Sequence, residues 1–203
     1  MEKIKKWINE YIENIDLEKI KWIKLNSDEL NDFFYENYLD KNVWEFVCSK
    51  NINSLYPTIL GMNYLNLNDP INNKASSFLL GIIDNNIGKK TIVCATIYLD
   101  EYFIFKNQEM PITYISTMEV NSYFRNRGIY KEMCKVLINF INKNQHIIST
   151  PQTEMGKKYN VFEILKKELE KVGFKNYIFE YNNCLTNLKL KEVIYTNQKV
   201  LKK

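Results

Sequence analysis

The hydrophobic period of this chain changes at Gly128, and that change constrains the fold more than any other feature. Residues 112–120 alternate like a strand, which places every second side chain on one face. The face predicted in this way carries Ile112, Tyr114, Ser116, Met118 and Val120. From Ile129 to Ile141, apolar residues recur at helical spacing. A strand therefore leads through a short loop into an amphipathic helix, which predicts helices packed on a sheet.

The first 75 residues have a mainly helical pattern. A short strand is predicted at residues 20–25. Ser27 is the predicted N-cap of a following helix, because Asp28 and Glu29 supply acidic residues to its first turn. Further helical stretches are predicted at the amino terminus and at residues 43–50.

Strand patterns dominate from residue 76 onward. The predicted elements are strands at 77–84, 91–100 and 112–120, a helix from Gly128, a strand at 146–150, a helix at 160–172 and strands at 177–181 and 188–195. This order predicts an α/β (α+β) fold with a mixed, mostly antiparallel twisted sheet and flanking helices. No repeat or linker interrupts it, so residues 1–203 are expected to form one domain.

Composition narrows the class of protein. Hydrophobic residues make up 45% of the chain and charged residues 26%, which is typical of a globular domain. The net charge of +4 is too small to predict nucleic-acid binding, although it suits a polyanionic ligand. The four cysteines have neither metal-site nor disulfide spacing. With no secretory signal and no run near the ~20 apolar residues of a membrane span, a cytoplasmic protein without a membrane partner is expected.

The loop before the predicted helix that begins at Gly128 suits a phosphate. The first N–H groups of a helix have no internal partner, and its dipole adds positive charge there. Gly128 lets an anion approach the backbone, while Arg125, Arg127 and Lys131 add formal charge. The alternative is an exposed turn before a core helix.

This segment resembles the signature of the GCN5-related N-acetyltransferases: a strand residue, then Arg or Gln, two residues, Gly, one residue, and Gly or Ala. Arg125, Gly128 and Tyr130 fill the three defined places, and Val120 stands where the family has its strand valine. Tyr130 replaces a small residue, which predicts a narrower pyrophosphate cradle. Residues 170–174 also resemble the family's helix end, E-K-x-G-F, and the resemblance covers residues 77–195.

The resemblance implies acetyl-CoA as co-substrate, no metal, and direct acetyl transfer to a primary amine of a small molecule or peptide. Residues 112–120 and 146–150 would be central strands that splay apart around the pantetheine arm. A backbone N–H near Met118 or Val120 would polarise the thioester carbonyl. The pyrophosphate would be held by the turn residues Arg125, Asn126, Arg127, Gly128, Ile129, Tyr130 and Lys131.

Candidates for proton transfer are less specific. By position, Glu119, Glu154 or Tyr114 would be the base, with an exposed glutamate or a core tyrosine as the competing interpretations. Glu119 has the opposite parity to Val120, so a local bulge would be needed to redirect it. Leu169 stands where relatives have the tyrosine that acts as general acid for the leaving thiolate. Tyr159 is the alternative acid or an ordinary helix-start aromatic. His146, the one histidine, is expected at the surface.

Two other functions compete with an active acetyltransferase. Leu169 and Tyr130 favour a CoA-binding module without catalysis. The net positive charge alone suggests an RNA-directed acetyltransferase, which ranks last because no basic-aromatic pattern accompanies it. A homodimer is a possible assembly.

Overall fold

Seven strands form one sheet in the computed structural model of this chain, which describes residues 17–38, 77–84, 90–105, 108–121, 124–149, 160–182 and 189–197. A 3-10 turn at Leu17–Lys19 precedes the first strand. In chain order the elements are β1 Lys21–Leu25, α1 Ser27–Tyr38, β2 Ser77–Asp84, β3 Lys90–Phe105, β4 Gln108–Val120, α2 Ile129–Phe140, β5 His146–Ser149, α3 Val161–Lys171, β6 Lys175–Asn182 and β7 Lys189–Thr196. The helices predicted near the amino terminus and at residues 43–50 lie outside the described residues.

The sheet is mostly antiparallel. Its strand order is β1-β2-β3-β4-β5-β7-β6, and the β4–β5 pair alone is parallel among the described strands. The prediction of a mixed, mostly antiparallel sheet with flanking helices is confirmed. β3 and β4 run further than predicted, because their hairpin continues beyond the other strands and Pro111 pairs opposite Tyr102. β5 joins β4 only from Ile112, so Pro111 is tolerated just outside that ladder.

The N-cap of α1 is Asn26 and not Ser27, so the predicted cap is wrong by one residue. Asn26 Oδ1 accepts the Glu29 N–H at 2.9 Å, and Glu29 Oε2 accepts the Asn26 N–H at 2.8 Å. This reciprocal pair is a capping box, which satisfies two backbone donors that the helix itself leaves unpaired. The Leu30 N–H closes the first turn on the Asn26 carbonyl at 2.9 Å.

Apolar side chains cover both faces of the sheet. On the α1 face, two helix residues pack on strand residues in a cluster of Leu30, Phe33, Phe78, Leu80, Ile82, Ile92, Ala95 and Ile97. On the α2/α3 face, strand residues including Leu79, Tyr98, Ile115, Ile147 and Tyr195 meet Cys134, Leu137, Leu165 and Leu169 of the helices. Burial of a large aliphatic side chain contributes about 1.5–3 kcal/mol, so these clusters hold the helices against the sheet.

A β-bulge at Ser116 reverses the facing of β4. Ile97 pairs with Thr117 and Tyr98 with Ile115, so Ser116 is the extra residue. Before it, Ile112 and Tyr114 pack with Ile148 and Ile194. After it, Met118 and Val120 pack on the opposite side, against residues of α2. The prediction that alternate residues from Ile112 to Val120 share one face is therefore wrong.

The parallel pair at the centre of the sheet is short. β4 and β5 pair from Ile112↔His146 to Ile115↔Ser149, where β5 ends. β4 continues from Ser116 to Val120 with β3 on one side and, within the described residues, no strand on the other. The described pairing of the two central strands therefore ends at the bulge, where the description of β5 also ends, and the expected splay stays a prediction.

Candidate active site

The turn before α2 is built from unusual backbone angles. Asn126 and Gly128 both have positive φ, at 64° and 76°, and successive N–H groups in such turns form concave anion-binding nests. The first α-helical bond inside α2 runs from the Glu132 N–H to the Gly128 carbonyl at 3.2 Å. No described side chain caps this helix start, and a Cβ added to Gly128 would meet nothing within 4 Å. The first amides of α2 are therefore free to take an anion.

Asn121 fastens the turn to the sheet. Its N–H donates to the Val93 carbonyl at 2.8 Å, and its side-chain Nδ2 donates to the Ile92 carbonyl at 3.1 Å. Val93 is itself the extra residue of a bulge in β3, since Gly81 pairs with Cys94 and Ile82 with Ile92. Asn121 is buried. Sequence reasoning missed its role, for which a single Asn after a strand is the only signal.

Arg125 turns back onto the end of β4. Its Nε donates to the Val120 carbonyl at 3.0 Å, and its Nη2 lies 3.5 Å from Glu119 Oε1. Because the side chain is engaged here, it braces the strand end while its backbone belongs to the turn. The remaining turn residues differ in exposure: Asn126, Gly128 and Lys131 are exposed, Arg127 is half-buried and Ile129 is buried.

Tyr130 is half-buried and leans onto β4. Its hydroxyl donates to Met118 Sδ at 3.6 Å, and its side chain packs against buried residues under α2, among them Met133 and Cys134. Burial raises the pKa of this phenol well above its ordinary value, with Cys134 and Tyr195 adding to the effect. The side chain therefore points into the fold and does not produce the narrowing of the cradle that its size predicts.

The bulge brings the base candidates Glu119 and Tyr114 to one side of the sheet. Glu119 pairs in register with Ala95, a residue of the α1 face. Tyr114 packs with Ile112 and Ile148 on that same side, opposite the helix pair. The Glu119 side chain is 17% exposed and lies beside Arg125. Tyr159 and Glu154 lie outside the described residues, and Leu169 is buried in the core.

His146 is buried, which corrects the prediction of a surface histidine. It begins β5, where the opposite residue is Ile112, and its Nδ1 has no hydrogen-bond partner among the described residues. Burial lowers its pKa from the ordinary 6.5. A strand-start position suggested exposure, but β5 lies inside the sheet between β4 and β7.

Cys94 and Cys134 are buried free thiols. Burial raises the pKa of the Cys94 thiol to about 12, so it behaves as a small apolar side chain. Within the described ranges, no three His, Cys, Asp or Glu side chains gather in a way that would hold a metal ion. None of the described helices is long and apolar enough to cross a membrane.

Comparison with known proteins gives structural neighbours only. No family model matches the chain, and no curated protein matches it. An aminoglycoside acetyltransferase from an uncultured soil metagenomic sample, crystallised with trehalose, is 17% identical, over 73% of this chain and 88% of that one, with a TM-score of 0.42. A mutant AtaT toxin bound to the C-terminus of the antitoxin AtaR and acetyl-CoA is 8% identical, over 88% and 94%, with a TM-score of 0.43.

A third neighbour is described as histone acetyltransferase HPA2 and related acetyltransferase from Corynebacterium glutamicum. It is 10% identical, over 90% of this chain and 98% of that one, with a TM-score of 0.44. TM-scores at this level do not assign the chain to any of these three groups. The order of elements, the mostly antiparallel sheet and the turn before α2 agree with the fold expected from the resemblance to the GCN5-related N-acetyltransferases.

Proposed function

We propose that this chain is an acetyl-CoA-dependent N-acetyltransferase that transfers acetyl directly to a primary amine of a small molecule or peptide. One observation carries the proposal: a helix start with an open glycine and no described side-chain cap comes after a strand whose described pairing with β5 stops at the bulge. The first feature suits a diphosphate and the second suits an extended arm that needs backbone partners.

The residues divide between two tasks. Backbone amides from Arg125 to Lys131 would hold the diphosphate, with Arg127 and Lys131 adding charge. The strand amides of Met118 or Val120 would polarise the thioester carbonyl, so that charge developing on oxygen meets a fixed donor.

The acceptor amine would approach from the α1 face, where the bulge places Glu119 and Tyr114. Glu119 is the stronger candidate base because a carboxylate can accept the ammonium proton directly or through water. Its neighbour Arg125 holds it at the end of β4. Tyr159 stays a candidate acid by sequence alone.

A CoA-binding module without catalysis is the second candidate, because buried Leu169 cannot donate a proton where relatives have a tyrosine. The single domain over residues 1–203, a cytoplasmic location and a homodimer stay predictions. The net charge of +4 alone does not favour an RNA substrate over a small amine.

Two measurements on the full chain test the proposal. Calorimetry measures binding of CoA and acetyl-CoA, and a thiol reagent measures CoA release with a panel of primary amines. Binding with amine-dependent release is the expected result. Binding without release for every amine supports the silent module, and absence of CoA binding contradicts both.

A further inference from the structure

The Tyr130 hydroxyl is already aimed at a sulfur atom. Tyr130 is the second residue of α2, and its hydroxyl donates to Met118 Sδ at 3.6 Å. The described titratable groups that act on it are Cys134 of its own helix and Tyr195 of β7, both of which favour its protonated form. The phenol is therefore a neutral donor whose neighbouring acceptors, the Met118 thioether and the Cys134 thiol, are both weak.

The place of this phenol matters because of what β4 does there. Met118 lies past the Ser116 bulge, on the α2/α3 face, beyond the last described pair between β4 and β5. Under the proposed function, the amide of Met118 is one of the two that would polarise the thioester. The Tyr130 hydroxyl thus contacts the side chain of Met118, the residue whose backbone amide would bind the thioester carbonyl.

Relatives place a tyrosine on the helix that corresponds to α3, but this chain has Leu169 there, with no exposed surface. We propose that Tyr130 takes over this task by donating a hydrogen bond from its hydroxyl to the departing sulfur of CoA. The inference rests on the proposed function and assigns a further catalytic residue to the same site.

The transition state is stabilised when the Tyr130 hydroxyl gives up Met118 Sδ and donates to the CoA sulfur instead. As the amine nitrogen forms its bond to the acetyl carbon, the carbon–sulfur bond breaks and its electron pair stays on sulfur. A hydrogen bond to an anion is about twice as strong as one between neutral groups. The donor gains most when the charge has developed, which is the condition for catalysis. The phenol keeps its proton, and water later protonates the thiolate.

Tyr130→Phe removes the donor and keeps the ring. The matched control is Tyr195→Phe, since Tyr195 Oη is buried on the same face without a hydrogen-bond partner among the described residues. The direct readout is the ultraviolet absorbance of the thiolate of bound CoA as pH rises. We expect its ionisation constant to fall about tenfold in Tyr130→Phe, as for loss of a hydrogen bond to a charged group, and to stay at the wild-type value in Tyr195→Phe.

Kinetics add a second readout. In Tyr130→Phe, kcat should fall about 10- to 100-fold while the Kd of CoA changes less than about threefold, because the lost bond belongs to the transition state. Met118→Leu removes the present acceptor and leaves the strand amide, so the bound thiol should stay as acidic as in the wild type.

Three outcomes would overturn the inference while the proposed function stands: equal thiol ionisation in all variants, a shift in Tyr195→Phe in place of Tyr130→Phe, or a shift in Met118→Leu equal to that in Tyr130→Phe. Failure of the wild-type chain to bind CoA contradicts the proposed function instead. Unfolding curves of each variant separate these results from loss of structure.

Discussion

Two of the described glycines adopt the left-handed region with open space around the position of a Cβ. Gly128 has φ +76° before α2, and Gly173 has φ +94° after α3. Gly173 ends α3 in a Schellman motif, in which its N–H and that of Phe174 bond back to Glu170 and Leu169 at 3.0 and 3.1 Å. Both positions require a positive φ, but Gly128 lies at the start of a helix and Gly173 lies at the end of one.

This pair separates backbone strain from ligand binding. A valine at either position should lower the free energy of unfolding by about 1–2 kcal/mol, because a left-handed residue with a Cβ is strained. Only Gly128→Val should also weaken CoA binding, by at least about tenfold, since a side chain there stands between the amides and a diphosphate. Calorimetry and chemical denaturation measure the two effects. Equal loss of CoA affinity in Gly173→Val would show that the turn has no special part in binding.

The capping box of α1 yields a second residue-scale prediction. Asn26→Ala should lower the free energy of unfolding by about 1 kcal/mol, because it removes the acceptor of the Glu29 N–H. Ser27→Ala, one residue on, should change it by less than half as much. Urea denaturation of the two variants measures the difference. The reverse order would restore Ser27 as the cap that the acidic first turn suggested.

At the scale of the element, β2 and β3 approach closely at one pair. A Cβ on Gly81 would lie 2.7 Å from Cys94 Sγ and 3.1 Å from the Trp22 ring. Gly81→Ala should therefore destabilise the fold by about 1–3 kcal/mol through overpacking. In the double variant with Cys94→Ala, the combined loss should be smaller than the sum of the single losses. Additive losses in thermal unfolding would mean that Cys94 does not make the contact.

Periodicity located the elements well and said less about their details. The helical stripe from Ile129 to Ile141 and the stop at Gly173 bound α2 and α3 closely, because burial on one face forces that spacing. The Ser116 bulge was invisible, since Ser116 and Thr117 are both polar and either parity reads as a half-buried strand. Arg125 was identified as charge for the turn, but its bond to the Val120 carbonyl depends on a chain reversal that no spacing reveals.

At the scale of the whole molecule, the one histidine makes stability depend on pH. Because burial lowers the pKa of His146 below its unfolded value of 6.5, the unfolded chain binds a proton that the folded chain refuses. This contribution is fully present above pH 6.5 and is lost as pH falls through that value toward the folded pKa. Urea denaturation between about pH 7.5 and 5.5 should show less of this fall in His146→Gln than in the wild type. Parallel curves for the two proteins would contradict the assignment.

The four ladder pairs between β4 and β5 have a mechanical consequence. To one side, β1 to β4 lie next to one another in chain order; to the other, β6 pairs with β7. These two groups have longer antiparallel ladders, whereas β5 joins them by four pairs with β4 and two with β7, so rotation between the groups would concentrate at β5. Hydrogen exchange at amides 112–115 and in β5 would then be faster than in the longer ladders, and it would report how far the two groups of strands move apart.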